Sequence, residues 1–108
     1  MPTHVSIEGI ISQLTTEEKI ALVSGTDFMY TNPVPRLLVP SIQMSDGPHG
    51  LRVQTDGGDN GVTGSLPATS FPTAATLASG WNEKNAERMG EAIGKEAALY
   101  GVQVVLGP

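Results

Sequence analysis

The sequence predicts an α/β fold in the order helix, helix, strand, long loop, helix, strand. Three observations carry this. Ala86, Met89, Ile93, Ala97 and Tyr100 recur at helical spacing along one face. Immediately after them, Val102 to Leu106 is a continuous apolar run, the pattern of a strand buried on both faces of a parallel sheet. An earlier run over residues 41–45 reads as a short buried strand, so strand, helix and strand follow one another as in a crossover unit.

The elements follow in order. Ile7, Ile10, Ile11 and Leu14 fall on one face of a short first helix. Ser6 is placed to cap it, and Val5 to staple against Ile10. Thr15 and Glu18 form an S/T-x-x-E capping box for a second helix, with Ile20 and Val23 on its buried side and Gly25 as its terminator. Pro33, Pro35 and Pro40 make residues 26–40 an extended connection. Residues 46–66 form a glycine-rich loop. Asn82 is placed to cap the third helix, Glu83 lies favourably in its first turn, Glu91 and Lys95 are an i,i+4 pair, and Gly101 ends it. Two strands do not make a sheet with both faces covered, so the pattern reads as the opening of a larger domain.

Composition narrows the partners. The 108 residues carry a net charge of −5 with no cluster of Lys or Arg, which leaves no electrostatic footprint for nucleic acid or an anionic membrane surface. The balance suits neutral ligands such as sugars. Without cysteine there are no disulfides or thiolate metal sites. No apolar run approaches the ~20 residues of a membrane span. Met1-Pro2-Thr3-His4-Val5 lacks the basic and apolar regions of a signal peptide, so a cytoplasmic location is expected. No metal site or cofactor is expected, and the oligomeric state is left open.

The chemically informative segment is Ser45-Asp46-Gly47-Pro48-His49-Gly50-Leu51-Arg52. It places a carboxylate at the C-terminal end of a strand, where α/β barrels build their sites. A carboxylate there accepts hydrogen bonds from neighbouring sugar hydroxyls, and a guanidinium six residues on supplies donors to the same ring. The residues alone leave a second reading open, in which Asp46 only caps its own turn. His49 lines the pocket or is satisfied by the loop backbone, and the latter is favoured. Asp56, Asp59 and Asn60 lack the spacing of an EF-hand loop and read as a solvated turn. Trp81, just before a cap, is read as a packing anchor for the third helix rather than a sugar-stacking platform. Met89 and Tyr100 are read as core-facing.

The order of motifs resembles the N-terminus of glycoside hydrolase family 3. The matching segments are Leu14 to Ile20, Pro35-Arg36-Leu37, Pro40-Ser41-Ile42, the Ser45–Arg52 signature, Phe71-Pro72, Leu77 to Trp81, and Gly101 to Pro108. Gly80 and Asn85 depart from the commoner family pattern, at the start of the third helix and away from the site. The resemblance implies that residues 1–108 open a (β/α)-barrel of the TIM type, which takes about 250 residues, with a second α/β sandwich domain after it. It implies an exo-acting, retaining β-glucosidase that releases terminal non-reducing β-D-glucosyl residues from β-glucosides or short gluco-oligosaccharides. Asp46 would bind the 4- and 6-hydroxyls of the terminal sugar, and Arg52 would reach the same end or support Asp46. The nucleophilic Asp and the acid/base Glu of that mechanism are expected beyond residue 108, so no catalytic residue is expected in the chain. A β-xylosidase or another exo-glycosidase of the family is the alternative within the class. A non-catalytic carbohydrate-binding or interaction module is the alternative outside it.

Overall fold

The structure is a computed structural model and describes residues 6–55 and 64–107. His4, the expected staple at Val5 and the turn at Asp56, Asp59 and Asn60 lie outside the described residues. The chain divides into two compact units, Met1–Ile42 and Gln43–Pro108.

The first unit holds helices α1 (Ile7–Gln13) and α2 (Thr16–Ser24) and a 3-10 turn at Pro35–Leu37. Both expected caps form. The Ser6 hydroxyl accepts from Gly9 N–H, and Thr15 and Glu18 make the reciprocal capping box. Gly25 follows α2 at φ 72°, and Asn32 Nδ2 donates to the carbonyls of Ala21 and Gly25 at 2.9 and 2.7 Å, satisfying acceptors that the helix end leaves open. Glu18 has a second role. Arg36 Nε donates to its Oε1 at 2.7 Å, Arg36 Nη2 to its Oε2, and Nη2 also to the Gln13 carbonyl at 2.7 Å. One carboxylate therefore caps α2 and grips the 3-10 turn. That fork, and then the Thr15 N–H, hold the Glu18 carboxyl down to about 2. Among the described residues of this unit, Val34, paired with Val39 across the turn, is the buried apolar side chain. The expected burial of Ile20 and Val23 is not met, since they are 59% and 88% exposed. Among the described residues of the unit, nothing covers that side of α2.

The second unit holds β1 (Met44–Ser45), α3 (Ala74–Ser79), α4 (Glu83–Leu99) and β2 (Val104–Val105). The strands are parallel, with Met44 opposite Val104 and Ser45 opposite Val105, and α4 is the crossover between them. The pairing continues past the strands. Gln103 and Val104 N–H both donate to the Gln43 carbonyl, and Leu106 N–H donates to Ser45 at 2.7 Å. Asn82 caps α4 by accepting from Lys84 N–H, and Glu91 and Lys95 pair at 3.8 Å. At its end Gly101 N–H reaches the Ala98 carbonyl and Val102 N–H the Ala97 carbonyl, the bond pattern of a Schellman cap, with Ala97 and Val102 both buried.

The core of this unit is Leu51, Val53, Ile93, Ala97 and Val102, with Leu66, Phe71, Met89, Tyr100 and Val105 packed around it. Three expectations need correction. Ala86 is exposed, because the first turns of α4 extend past the core. Val104 is 41% exposed, because a two-stranded sheet leaves the run uncovered. Trp81 is 94% exposed, at a φ of 47°, and anchors nothing among the described residues. The six-residue α3 was not expected. It is capped by Thr73, whose hydroxyl accepts from Thr76 N–H, and is too short to show a helical period. No described helix is long and apolar enough to cross a membrane.

Candidate functional site

The signature segment leaves the C-terminal end of β1 and folds back on itself. Arg52 N–H donates to the Asp46 carbonyl at 3.1 Å, so Asp46 and Arg52 face each other in an antiparallel bridge. Six residues apart in sequence, they stand at the two feet of one closed loop. Within it Gly50 N–H donates to Gly47 O at 3.2 Å. Two glycines permit this closure. Gly47 has φ 117°, and a Cβ there would stand 1.8 Å from the Gly50 carbonyl oxygen. Gly50 has φ 147°, and its Cβ would stand 2.4 Å from the Thr69 carbonyl oxygen. Both positions combine a backbone that L side chains rarely adopt with a contact that backbone atoms cannot relieve.

Ser45, which carries no role in the motif reading above, is the floor of the loop. It is 1% exposed. Its hydroxyl donates to the Asp46 carbonyl at 2.8 Å and accepts from Arg52 N–H at 3.2 Å. A short hydroxyl beside a turn can bond neighbouring backbone groups in this way; a Ser directly before the strand-end Asp is the signal that could have revealed it.

This changes the balance between the two readings of Asp46. The turn is closed by Ser45 and by backbone groups, and among the described residues the Asp46 side chain makes neither a hydrogen bond to that turn nor an ion pair with Arg52. The half-buried Asp46 carboxylate and the exposed Arg52 guanidinium keep their hydrogen-bonding capacity.

His49 is engaged differently. Its Nε2 accepts from Ala74 N–H at 2.8 Å, at the start of α3, and its carbonyl accepts from Phe71 N–H at 2.7 Å. An accepting Nε2 assigns the ring proton to Nδ1 in the neutral imidazole. The ring ties the loop to the segment ahead of α3. Beyond the loop, Thr55 N–H donates to Gly64 O at 2.6 Å and Leu66 N–H to Val53 O at 2.8 Å. A separate open groove of about 360 Å³ is lined by Phe71, Pro72, Leu77, Asn85, Arg88 and Met89 and includes none of Asp46, His49 and Arg52. Among the described residues no cluster of His, Cys, Asp or Glu is arranged to hold a metal ion.

Fold and loop together define a strand–helix–strand piece of a parallel α/β domain that presents a carboxylate and a guanidinium at the carboxyl end of its first strand. No protein-family model matches the chain. It is 50% identical over 105 residues to thermostable beta-glucosidase B of Acetivibrio thermocellus, covering 96% of this chain and 14% of that protein. Its structure is similar to a beta-glucosidase of Kluyveromyces marxianus solved in complex with glucose, with TM-score 0.85, 33% identity, and 95% and 12% of the two chains covered. The GH3 beta-glucosidase of Bifidobacterium adolescentis matches with TM-score 0.75 and 40% identity over 91% of this chain and 13% of that one. The chain belongs to glycoside hydrolase family 3, as a part of its N-terminal TIM-type barrel domain. It spans about one seventh of the length of these relatives or less.

Proposed function

We propose that the protein to which this segment belongs is an exo-acting, retaining β-glucosidase, and that the segment supplies one side of its terminal sugar site. Residues 1–108 are then the opening of the barrel, followed by the rest of that barrel and an α/β sandwich domain. The observation that carries this reading is the 50% identity to a beta-glucosidase through nearly the whole chain. The free carboxylate of Asp46 supports it. A carboxylate is an acceptor with two oxygens, suited to two adjacent hydroxyls. Bonds from neutral hydroxyls to a charged acceptor are stronger than those between neutral groups. A carboxylate set against the 4-hydroxyl of the terminal ring leaves no path for a further sugar beyond it, which makes the enzyme exo-acting. Arg52, at the other foot of the loop, donates to the same end of the ring or orients Asp46.

Bond cleavage in this reading belongs to two carboxyl groups outside the segment. One attacks the anomeric carbon to form a glycosyl-enzyme, and the other protonates the leaving oxygen and then activates water. The substrates are β-glucosides or short gluco-oligosaccharides, and a cytoplasmic location belongs to the same proposal. The test is the product of the complete reading frame assayed on matched aryl β-glucosides and β-xylosides. A clear preference for the glucoside with release of glucose supports the reading; a preference for the xyloside replaces it with a β-xylosidase. Binding of sugar without turnover of either would favour a non-catalytic module.

A further inference from the structure

We infer that Glu96 is a positioning residue for the sugar-gripping loop, acting from α4 through Thr69. The inference rests on the sugar-binding role proposed for Asp46. Glu96 lies on the part-buried side of α4, one turn before Tyr100. Its Oε1 accepts from both Thr69 N–H at 3.0 Å and Thr69 Oγ1–H at 3.1 Å. Tyr100 adds a parallel hold, its hydroxyl donating to the Pro67 carbonyl at 2.5 Å. The other oxygen, Oε2, is buried with no hydrogen-bond partner. A helix that needed only to pack there would be better served by Leu or Met, since an unpaired buried carboxylate oxygen is costly. The clamp on Thr69 is what the carboxylate does.

The clamped segment is in turn the wall against which the signature loop is built. The Thr69 carbonyl stands where a Cβ on Gly50 would fall, 2.4 Å away. Two residues on, Phe71 N–H binds the His49 carbonyl, and Ala74 N–H binds the His49 ring. Displacing Thr69 therefore removes the stop behind Gly50 and loosens the anchors of His49. Both lie between Asp46 and Arg52, so the spacing of the two sugar-facing groups depends on a carboxylate that touches no sugar.

The test is a double-mutant cycle in the product of the complete reading frame, with kcat/KM on an aryl β-glucoside measured per folded molecule. E96A is expected to lower kcat/KM by about tenfold or more, and E96A combined with D46A to be no more than about twofold worse than D46A alone, because both act on one contact. E96Q keeps an acceptor oxygen for Thr69 and is expected to recover most of the loss. A merely structural role gives a different result: a lower melting temperature with unchanged kcat/KM per folded molecule, or losses that multiply with D46A. Either overturns the inference. If E96A does not fold, T69V, which removes only the hydroxyl donor, replaces it, with a smaller loss and the same coupling to D46A expected; no coupling overturns the inference. If D46A itself retains wild-type kinetics, the role of Asp46 fails and this inference with it. If D46A is impaired while E96A is not, the inference alone fails.

Discussion

Asp46 and His49 sit three residues apart in one loop and are held in opposite ways. The Asp46 carboxylate has no partner in its own turn, whereas the His49 ring is tied to Ala74 N–H. In the complete protein, D46A is expected to lower kcat/KM on glucosides about a hundredfold or more, since each lost bond to a charged group is worth roughly 1.5–3 kcal/mol. The loss should fall largely on kcat if the contacts tighten as the ring flattens toward the transition state. H49A is expected to act mainly on stability, by about 0.5–1.5 kcal/mol, by removing the hydrogen bond that ties the loop to the exposed Ala74 N–H. Steady-state kinetics paired with thermal melts separates the two effects. The type and spacing of Asp46 and Arg52 were legible in the sequence because a strand end followed by Gly-Pro marks where a side chain is presented. Ser45 and Glu96 were not, because their roles depend on which backbone groups the fold brings to them.

At the scale of elements, caps were the most legible feature. Ser6, the Thr15–Glu18 box, Asn82 and Gly101 stand where local chemistry demands, since each is satisfied within a few residues. The link from Glu18 to Arg36 spans 18 residues and had no local signature. It has a pH signature. The Glu18 carboxyl titrates near 2 in the folded chain against an ordinary 4.5. Its contribution is therefore fully present above about pH 4.5 and is lost as pH falls toward 2. The pair is partly exposed, so the effect is modest. Melting temperatures of the complete protein should show wild type falling more steeply than E18Q between those limits; parallel curves would contradict the assignment. In α4, I93A is expected to cost about 2–5 kcal/mol, as a large-to-small change in the core. Denaturant melts of the complete protein and its I93A variant measure the difference.

The α/β class was legible in the chain as a whole because period and run length distinguish α4 from β2. The degree of burial was not, because it depends on neighbours that no local pattern supplies. Val104, Trp81, Ile20 and Val23 all carry apolar surface that stays in contact with solvent here. With one small core cluster and a two-stranded sheet among the described residues, the 108-residue chain is expected to melt without a sharp cooperative transition. Circular dichroism and amide dispersion report on this, and a sharp transition with dispersed resonances would show that the core suffices alone. In the proposed function the segment grips the sugar and the chemistry lies elsewhere in the protein. Aryl β-glucosidase activity, measured side by side for the 108-residue chain, the product of the complete reading frame and its D46A variant, tests it most directly. No turnover above the buffer blank is expected for the chain, with turnover by the complete protein and a loss of about a hundredfold or more in the folded D46A variant. Turnover by the chain itself that disappears on mutating a residue within it, or near-wild-type kinetics for D46A, would contradict it.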